Sequence, residues 1–188
     1  PVDQNPVSQH DTMGDVEPKI NDENYLVKFR LDEFVFPITT LRPETIFGIT
    51  NLWVNPNTIY KKIKADDEKW IVSQECAEKL EFFGKEIVIE GDIKGTDLIG
   101  KFAKAPHTEK EIPIFEAEFV ESGMGTGLVM SVPAHAPKDY QALMDLKSKN
   151  HELASKIKPI PIIVTEGYGE IPAKDVCERL GVTDQVDS

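Results

Sequence analysis

EFVFPITTLRPETIFGITNLWVNP, residues 33–56, sets two apolar runs on either side of a polar corner. The first run, EFVFPITT, is β-branched and aromatic, the composition of a strand. The second, GITNLWVNP, reads as another strand that stops at an Asn-Pro pair, because proline offers no ladder donor. Between them stand Thr39, Thr40, Arg42, Pro43, Glu44 and Thr45. Three hydroxyls and two opposite charges are poor core material, but they can donate and accept around a polar ligand. One reading is purely structural: threonines chosen for strand propensity, then a helix N-cap at Thr40 or Thr45. The other is a binding loop stiffened by an Arg42–Glu44 pair across the proline. The stretch by itself leaves both open.

Working outward, NYLVKFRL precedes this segment as a strand joined to it by a short Asp-Glu turn, and TIYKKIKA alternates downstream as a further strand. DDEKWIVSQECAEKLEFFG, residues 66–84, has an acidic start and apolar residues at Cys76, Ala77, Leu80 and Phe83. With Gly84 just beyond, it predicts a helix. KEIVIEGDIKG and IPIFEAEFV are strands by composition. The glycine-rich SGMGTG separates the latter from LVMSVPAH and predicts a hairpin between them. APKDYQALMDLKSKN predicts a helix with Tyr140, Leu143, Met144 and Leu146 inward, IPIIVT a strand, and PAKDVCERLG a short helix with proline near its start and glycine at its end. Residues 1–23 lack periodicity and read as a connector arm, which leaves 24–188 as the domain. Many short strands with few helices predict a mixed α/β fold, a sheet or barrel-like core flanked by helices.

The bulk composition, 40% hydrophobic and 29% charged, is that of an ordinary soluble globular protein. No apolar run approaches the ~20 residues that span a bilayer. A formal charge of −12 argues against a broad basic nucleic-acid surface. It leaves room for contact with one strand end that a neighbouring domain delivers. Cys76 and Cys177 form no C-x-x-C pair and read as buried thiols of a reducing compartment. The proline at position 1 and the trailing TDQVDS predict a piece of a longer protein.

A second constellation lies in GMGTGLVMSVPAHAPKDY. Gly123, Gly125 and Gly127 form neither a dinucleotide fingerprint nor a phosphate-binding loop. They serve a turn, or a backbone that lies close to a ligand. His135 ends a strand, and Asp139 falls near a helix start, where it either complements the helix dipole or holds an ammonium group. The remaining histidines, His10, His107 and His151, show no metal-ligand spacing. No G-x-S-x-G elbow supports a serine triad. Trp53 and Trp70 read as core residues.

Four blocks taken together, NPVSQHDT, TTLRPETIFGITNLWVNP, GMGTGLVMSVPAHAPKDYQAL and IPIIVTEGYGEIPAKDVCERLGV, closely resemble the editing insertion (connective polypeptide) of leucyl-tRNA synthetases, which are class I aminoacyl-tRNA synthetases. Leu41 after the threonine pair separates the chain from valyl and isoleucyl relatives. Ala136 stands where bacterial leucyl enzymes carry an aspartate, so Asp139 is the sole acid of its motif, as in the archaeal and eukaryotic cytosolic type. Neither adenylation signature is present, so this piece should not make aminoacyl-adenylate.

The resemblance implies the fold shared by valyl, isoleucyl and leucyl editing domains. It also implies hydrolysis of the ester in tRNA(Leu) mischarged with isoleucine, methionine or norvaline, with leucine excluded. A hydrophobic pocket discriminates one methylene by only ~1–3 kcal/mol, a limit for which aminoacyl-tRNA synthetases are themselves the standard illustration, so a second sieve is needed. By resemblance Asp139 anchors the substrate α-ammonium, and Thr45 blocks leucine. Thr39 and Thr40 hydrogen-bond the attacking water or the ester, and Arg42 and Glu44 support their loop. Met130 and Val132 line the pocket, although alternation would equally make them core, and His135 contacts the terminal ribose. Editing needs no metal or cofactor in this picture; ATP and magnesium belong to the synthetic site of the full-length enzyme. The implied partners are the 3′ end of mischarged tRNA(Leu) and the rest of the synthetase chain, with no membrane, for a cytoplasmic protein whose isolated domain is monomeric. The competing readings are a valyl or isoleucyl editing domain, and a non-catalytic module that binds adenosine or an amino acid.

Overall fold

The computed structural model describes residues 24–108 and 110–183. The predicted connector arm, the NPVSQHDT block and His10 lie outside the described residues. Among the described residues nine strands form one mixed sheet in the order β6-β4-β5-β2-β1-β7-β8-β3-β9. β1 (Tyr25–Leu31) and β2 (Phe34–Thr40) are the expected hairpin, turning at Asp32, whose φ is 52°. Pro37 lies in β2 beyond the two residues, Phe34 and Val35, that pair in parallel with β5, so its missing N–H breaks no ladder there.

The barrel-like core is realised as an open sheet coiled around its own apolar side chains. β3 (Asn51–Val54) shows how alternation divides them. Leu52 and Val54 join the main core with Phe29, Phe36, Ile38, Ile71, Ile114 and Met130, while Trp53 faces the other way. On that outer side Trp53 and Phe115 pack with Ala142, Leu143 and Leu146 of α2 (Pro137–Ser148) and Ala154 of α3 (Glu152–Lys156). Leu143 and Leu146 of the predicted inward face are buried, and Met144 packs against them part-buried. Under α1 (Gln74–Phe82), Ile63, Ala65 and Val72 of β4 (Ile59–Ala65) and β5 (Glu68–Ser73) meet Cys76 and Ala77. Cys76 and Cys177 are both buried and free; burial pushes the Cys76 thiol up to about 11.

Three expectations are corrected. The helix predicted over 66–84 occupies only its second half. Glu68–Ser73 is β5, which pairs with β4 on one side and β2 on the other. Asp66, at φ 52°, makes the turn that returns the chain, and Trp70 and Val72 alternate with Ile71 across the sheet. Phe83 is 78% exposed instead of facing inward. The strands either side of SGMGTG, β8 (Glu111–Glu116) and β9 (Val129–Ser131), do not form a hairpin. β3 lies between them, parallel to β8 and antiparallel to β9. IPIIVT is not a strand. Pro159 and Pro161 remove ladder donors, and the Ile162 amide is given to a side chain. β6 (Ile87–Lys94) and α4 (Pro172–Leu180), closed by Gly181 at φ 68°, fall where their composition put them. β7 (Phe102–Lys104) completes the sheet.

Fully buried Ser73 is the joint between the sheet, α1 and the glycine-rich segment. Its Oγ accepts the Cys76 N–H (3.1 Å) as the α1 N-cap and donates to the Ser122 carbonyl (2.7 Å), while its own N–H donates to the Thr126 carbonyl (2.9 Å). Ser73→Ala removes the cap and one buried hydrogen bond together. It should lower stability by ~1–3 kcal/mol, read as a shift in the urea midpoint with unchanged slope. A midpoint that does not move would contradict this role.

Candidate functional site

Four segments meet around a cavity of about 390 Å³. They are the end of β2 with the corner after it, the glycine-rich segment, β9, and the turn leading into α2. Thr39, Thr40, Arg42, Thr45, Met130, Val132 and His135 all line it, with apolar walls from Ile38 and Leu128. Seven of the nine residues given site roles in the sequence therefore share one cavity, Glu44 and Asp139 being the exceptions, although about ninety positions separate the two groups. The volume is within the range of small-ligand sites.

The corner after β2 is a 3-10 turn, Pro43–Gly48, whose N-terminal position is Arg42, with no side-chain cap. Neither Thr40 nor Thr45 is the cap. Thr40 Oγ1 accepts the Arg42 N–H (3.1 Å), a local hydroxyl turn. Thr45 Oγ1 donates to the Arg42 carbonyl (2.6 Å), which also accepts the Thr45 N–H (3.1 Å). With two bonds to one carbonyl and only 8% exposure, the Thr45 side chain is locked in a single rotamer. Arg42 Nε meets Glu44 Oε1 at 3.1 Å, the expected pair. Both partners are largely exposed, so the pair orients the corner more than it stabilises it. A backbone hydrogen bond, and then its bond to Arg42, keep the Glu44 carboxyl below its usual range.

The glycine-rich segment is held from behind. Besides the Ser73 bonds, the buried Tyr60 hydroxyl donates to the Gly127 carbonyl (3.0 Å), Ser122 Oγ donates to Glu75 (2.6 Å), and Lys79 Nζ donates to the Gly123 carbonyl (2.6 Å). Held in this way, the segment brings Gly125 against Thr39. A Cβ at Gly125 would stand 2.3 Å from Thr39 Oγ1, at a φ of 57° that already favours glycine. The glycines thus serve close backbone approach as well as turning.

Asp139 does not line the cavity. It lies in the first turn of α2 at 5% exposure, behind the wall that Val132 and Ala136 form. Oδ1 accepts the Trp53 indole N–H (2.9 Å), and Oδ2 accepts the Val132 N–H (2.8 Å). Its burial is enforced by Trp53, itself wedged against Phe115 and Phe119. Burial pushes the Asp139 carboxyl up to about 6, against the lowering effect of the Val132 and Trp53 hydrogen bonds and of Lys138. His135 lines the cavity, but its Nε2 accepts the Ile162 N–H (2.9 Å), so the ring proton sits on Nδ1. Burial, then the Arg42 charge, lower its pKa and favour the neutral ring. Leu41, Met124 and Val129 also line the cavity and were given no site role in the sequence, whereas Gly125, read as a turn or a close backbone approach, lines it too. Trp53 as the holder of Asp139 was missed as well. Among the described residues no group of three or more His, Cys, Asp or Glu is placed to hold a metal ion, and no helix is long and apolar enough to cross a membrane.

Because the Asp139 pKa is raised on folding, the native state keeps a proton that the unfolded chain releases. The stability this contributes is full below pH 3.8 and is lost as pH rises through about 6. The loss amounts to ~3 kcal/mol over that window. Asp139→Asn should flatten this part of the stability–pH curve, measured by urea unfolding from pH 4 to 7. Parallel curves for the two proteins would refute the assignment.

A family model for the leucyl-tRNA synthetase editing domain matches residues 23–159. The leucine–tRNA ligase of Methanothrix thermoacetophila is 49% identical over 193 residues, covering all of this chain and 20% of that relative. This chain thus spans about a fifth of the length of such relatives. The solved GlLeuRS-CP1 superposes with a TM-score of 0.73 at 27% identity, covering 88% of this chain and 80% of that one. The P. knowlesi cytosolic leucyl-tRNA synthetase editing domain gives 0.76 at 16% identity, covering 87% and 78%, a likeness of fold. With the family model covering most of the chain and relatives near half identity across all of it, this chain belongs to the leucyl-tRNA synthetase editing-domain family.

Proposed function

We propose that the cavity hydrolyses the ester between a wrong amino acid and the terminal adenosine of tRNA(Leu), with isoleucine, methionine and norvaline admitted and leucine refused. The observation that carries this reading is the convergence of three threonines and an apolar wall on one cavity, with a buried acid directly behind that wall, in a chain of this family. Water attacks the ester carbonyl carbon, and the ribose oxygen leaves with a proton, giving free amino acid and tRNA. Thr40 accepts from the Arg42 amide, so its own O–H remains to donate to the water or to the ester oxygens. Thr39 stands opposite Gly125, where it can meet the same atoms. Positioned donors are suited to an ester, which is already an activated acyl group.

Thr45 has the opposite task. Its hydroxyl is turned inward to Arg42, and what remains is a rigid branched surface facing the cavity. A wall that cannot swing aside excludes a γ-branched side chain by repulsion. From behind the wall of Val132 and Ala136, Asp139 supplies the negative charge toward which the α-ammonium is drawn. Each carboxylate oxygen has one protein donor and further accepting capacity, and burial strengthens its field. Met130 and Val132 shape the side-chain pocket. His135 keeps only Nδ1–H for a ribose, since Nε2 is occupied. The 3′ end of the tRNA and the remainder of the synthetase are the partners this reading requires.

Both roles are testable in the full-length synthetase. Thr45→Ala should gain hydrolysis of Leu-tRNA(Leu) by at least about tenfold over wild type, and a variant that still spares Leu-tRNA(Leu) would remove the steric role. Asp139→Asn keeps one acceptor for its two donors and removes the charge. It should lower kcat/KM for Ile-tRNA(Leu) by roughly 100-fold, and wild-type turnover in that variant would exclude the ammonium anchor.

A further inference from the structure

The strap 159–163 touches the frame of the cavity at two points. On one side the Ile162 N–H donates to His135 Nε2 (2.9 Å). The imidazole is itself placed by backbone, since the His135 and Ala136 amides both donate to the Val132 carbonyl (3.0 Å each) just after β9. On the other side the strap lies on Gly48, the last residue of the 3-10 turn that carries Thr45. A Cβ at Gly48 would stand 3.1 Å from the Ile160 carbonyl oxygen and 3.1 Å from Ile162 Cγ2. Such spacing is tighter than ordinary contact, so strap and turn touch backbone to backbone. Pro159 and Pro161 hold the strap extended and strip it of two donors, so the Ile162 amide is the one it offers to the ring.

The Thr45 turn lacks a side-chain cap at its start, so its depth depends on what packs behind it. A chain of direct contacts runs from β9 through His135 and Ile162 to Gly48, three residues from Thr45. We infer that His135 is a positioning residue for specificity: by accepting the Ile162 N–H it seats the strap on Gly48 and sets how far Thr45 projects into the cavity. This rests on the reading of Thr45 as the leucine-excluding wall. Repulsion rises steeply over a few tenths of an ångström. A small retreat of that wall therefore admits leucine while changing little for a side chain that already fits. The bond needs a lone pair on Nε2, which the neutral ring supplies.

The test uses full-length synthetase as wild type, His135→Ala, His135→Gln and Gly48→Ala. Two quantities are read: the ratio of kcat/KM for Leu-tRNA(Leu) to that for Ile-tRNA(Leu), and amide hydrogen exchange in the peptide containing Ile162. His135→Ala should raise the leucine-to-isoleucine ratio by about tenfold and speed strap exchange roughly three- to tenfold. His135→Gln, whose Oε1 can take the acceptor position, should restore both. Gly48→Ala leaves His135 and Thr45 intact and should raise the ratio by wedging turn and strap apart. The inference is overturned if His135→Ala lowers both rates together at a constant ratio, the signature of a ribose contact, or if strap exchange does not change. A wild-type enzyme that fails to deacylate Ile-tRNA(Leu) would instead overturn the editing reading itself. That result is separate from an editing wild type whose His135→Ala variant still spares leucine.

Discussion

Setting a carboxylate at 5% exposure and giving each of its oxygens a donor ties three elements to one point. Asp139 belongs to α2, the indole to β3, and the amide to the residue just after β9. α2 can dock on the sheet in only one registration, because a shift of one residue would strand both donors and the acid. Val132 is held through its amide by Asp139 and through its carbonyl by the amides of His135 and Ala136. The turn from strand to helix is thereby fixed, and with it one side of the cavity. The joint carries a cost, the desolvation that raises the carboxyl to about 6. A buried acid beside a cavity accords with a requirement for charge there.

The facing side obtains its rigidity by other means. Thr39, Thr40 and Thr45 are alike in sequence and unlike in use. Thr45 turns its hydroxyl to the backbone and presents a branched surface, Thr40 accepts a backbone amide and keeps a proton to give, and Thr39 is confined by the backbone of Gly125. Confinement of this kind needs a loop that does not yield, and the bonds from Ser73, Tyr60, Glu75 and Lys79 supply it. The unprotonated oxygen of the Tyr60 phenol would be costly in such a place, and burial pushes that group up to about 12, so it remains a donor at every physiological pH.

How far the sequence could be read depended on whether the deciding contact was local. The hairpin of β1 and β2 and the strand β4 were legible because alternation and turn residues lie within a few positions. The 66–84 segment was not, because Trp70–Val72 suit either a helix face or a strand. What settles them is pairing on both sides: all three with β4 across the Asp66 turn, and Trp70 also with Val35 of β2, over thirty positions upstream. The supposed hairpin across SGMGTG failed for the same reason: β3 takes the place between β8 and β9 from far earlier in the chain. The site fared better, since its chemistry is concentrated in two short motifs that fold against each other. What no motif could convey was depth. Asp139 is covered by Trp53, 86 positions away, and only packing decides whether an acid at a helix start faces a ligand or stands behind a wall.

The charge of the chain bears on how labour is divided under the editing reading. Among the described residues Arg42 is the one cationic side chain lining the cavity, and its Nε is already turned to Glu44. The remaining guanidinium nitrogens can meet a phosphate or a ribose at the mouth, but a single arginine does not hold a polyanion. On a surface whose formal charge is −12, long-range attraction for tRNA is absent and repulsion takes its place. Affinity for the nucleic acid must then reside in the rest of the synthetase, four-fifths of the length of the relatives. The cavity is left to judge only the aminoacyl end. Discrimination benefits from that separation. Binding energy from phosphates is the same for right and wrong amino acids, whereas a locked threonine and a buried acid respond only to the side chain and the amine.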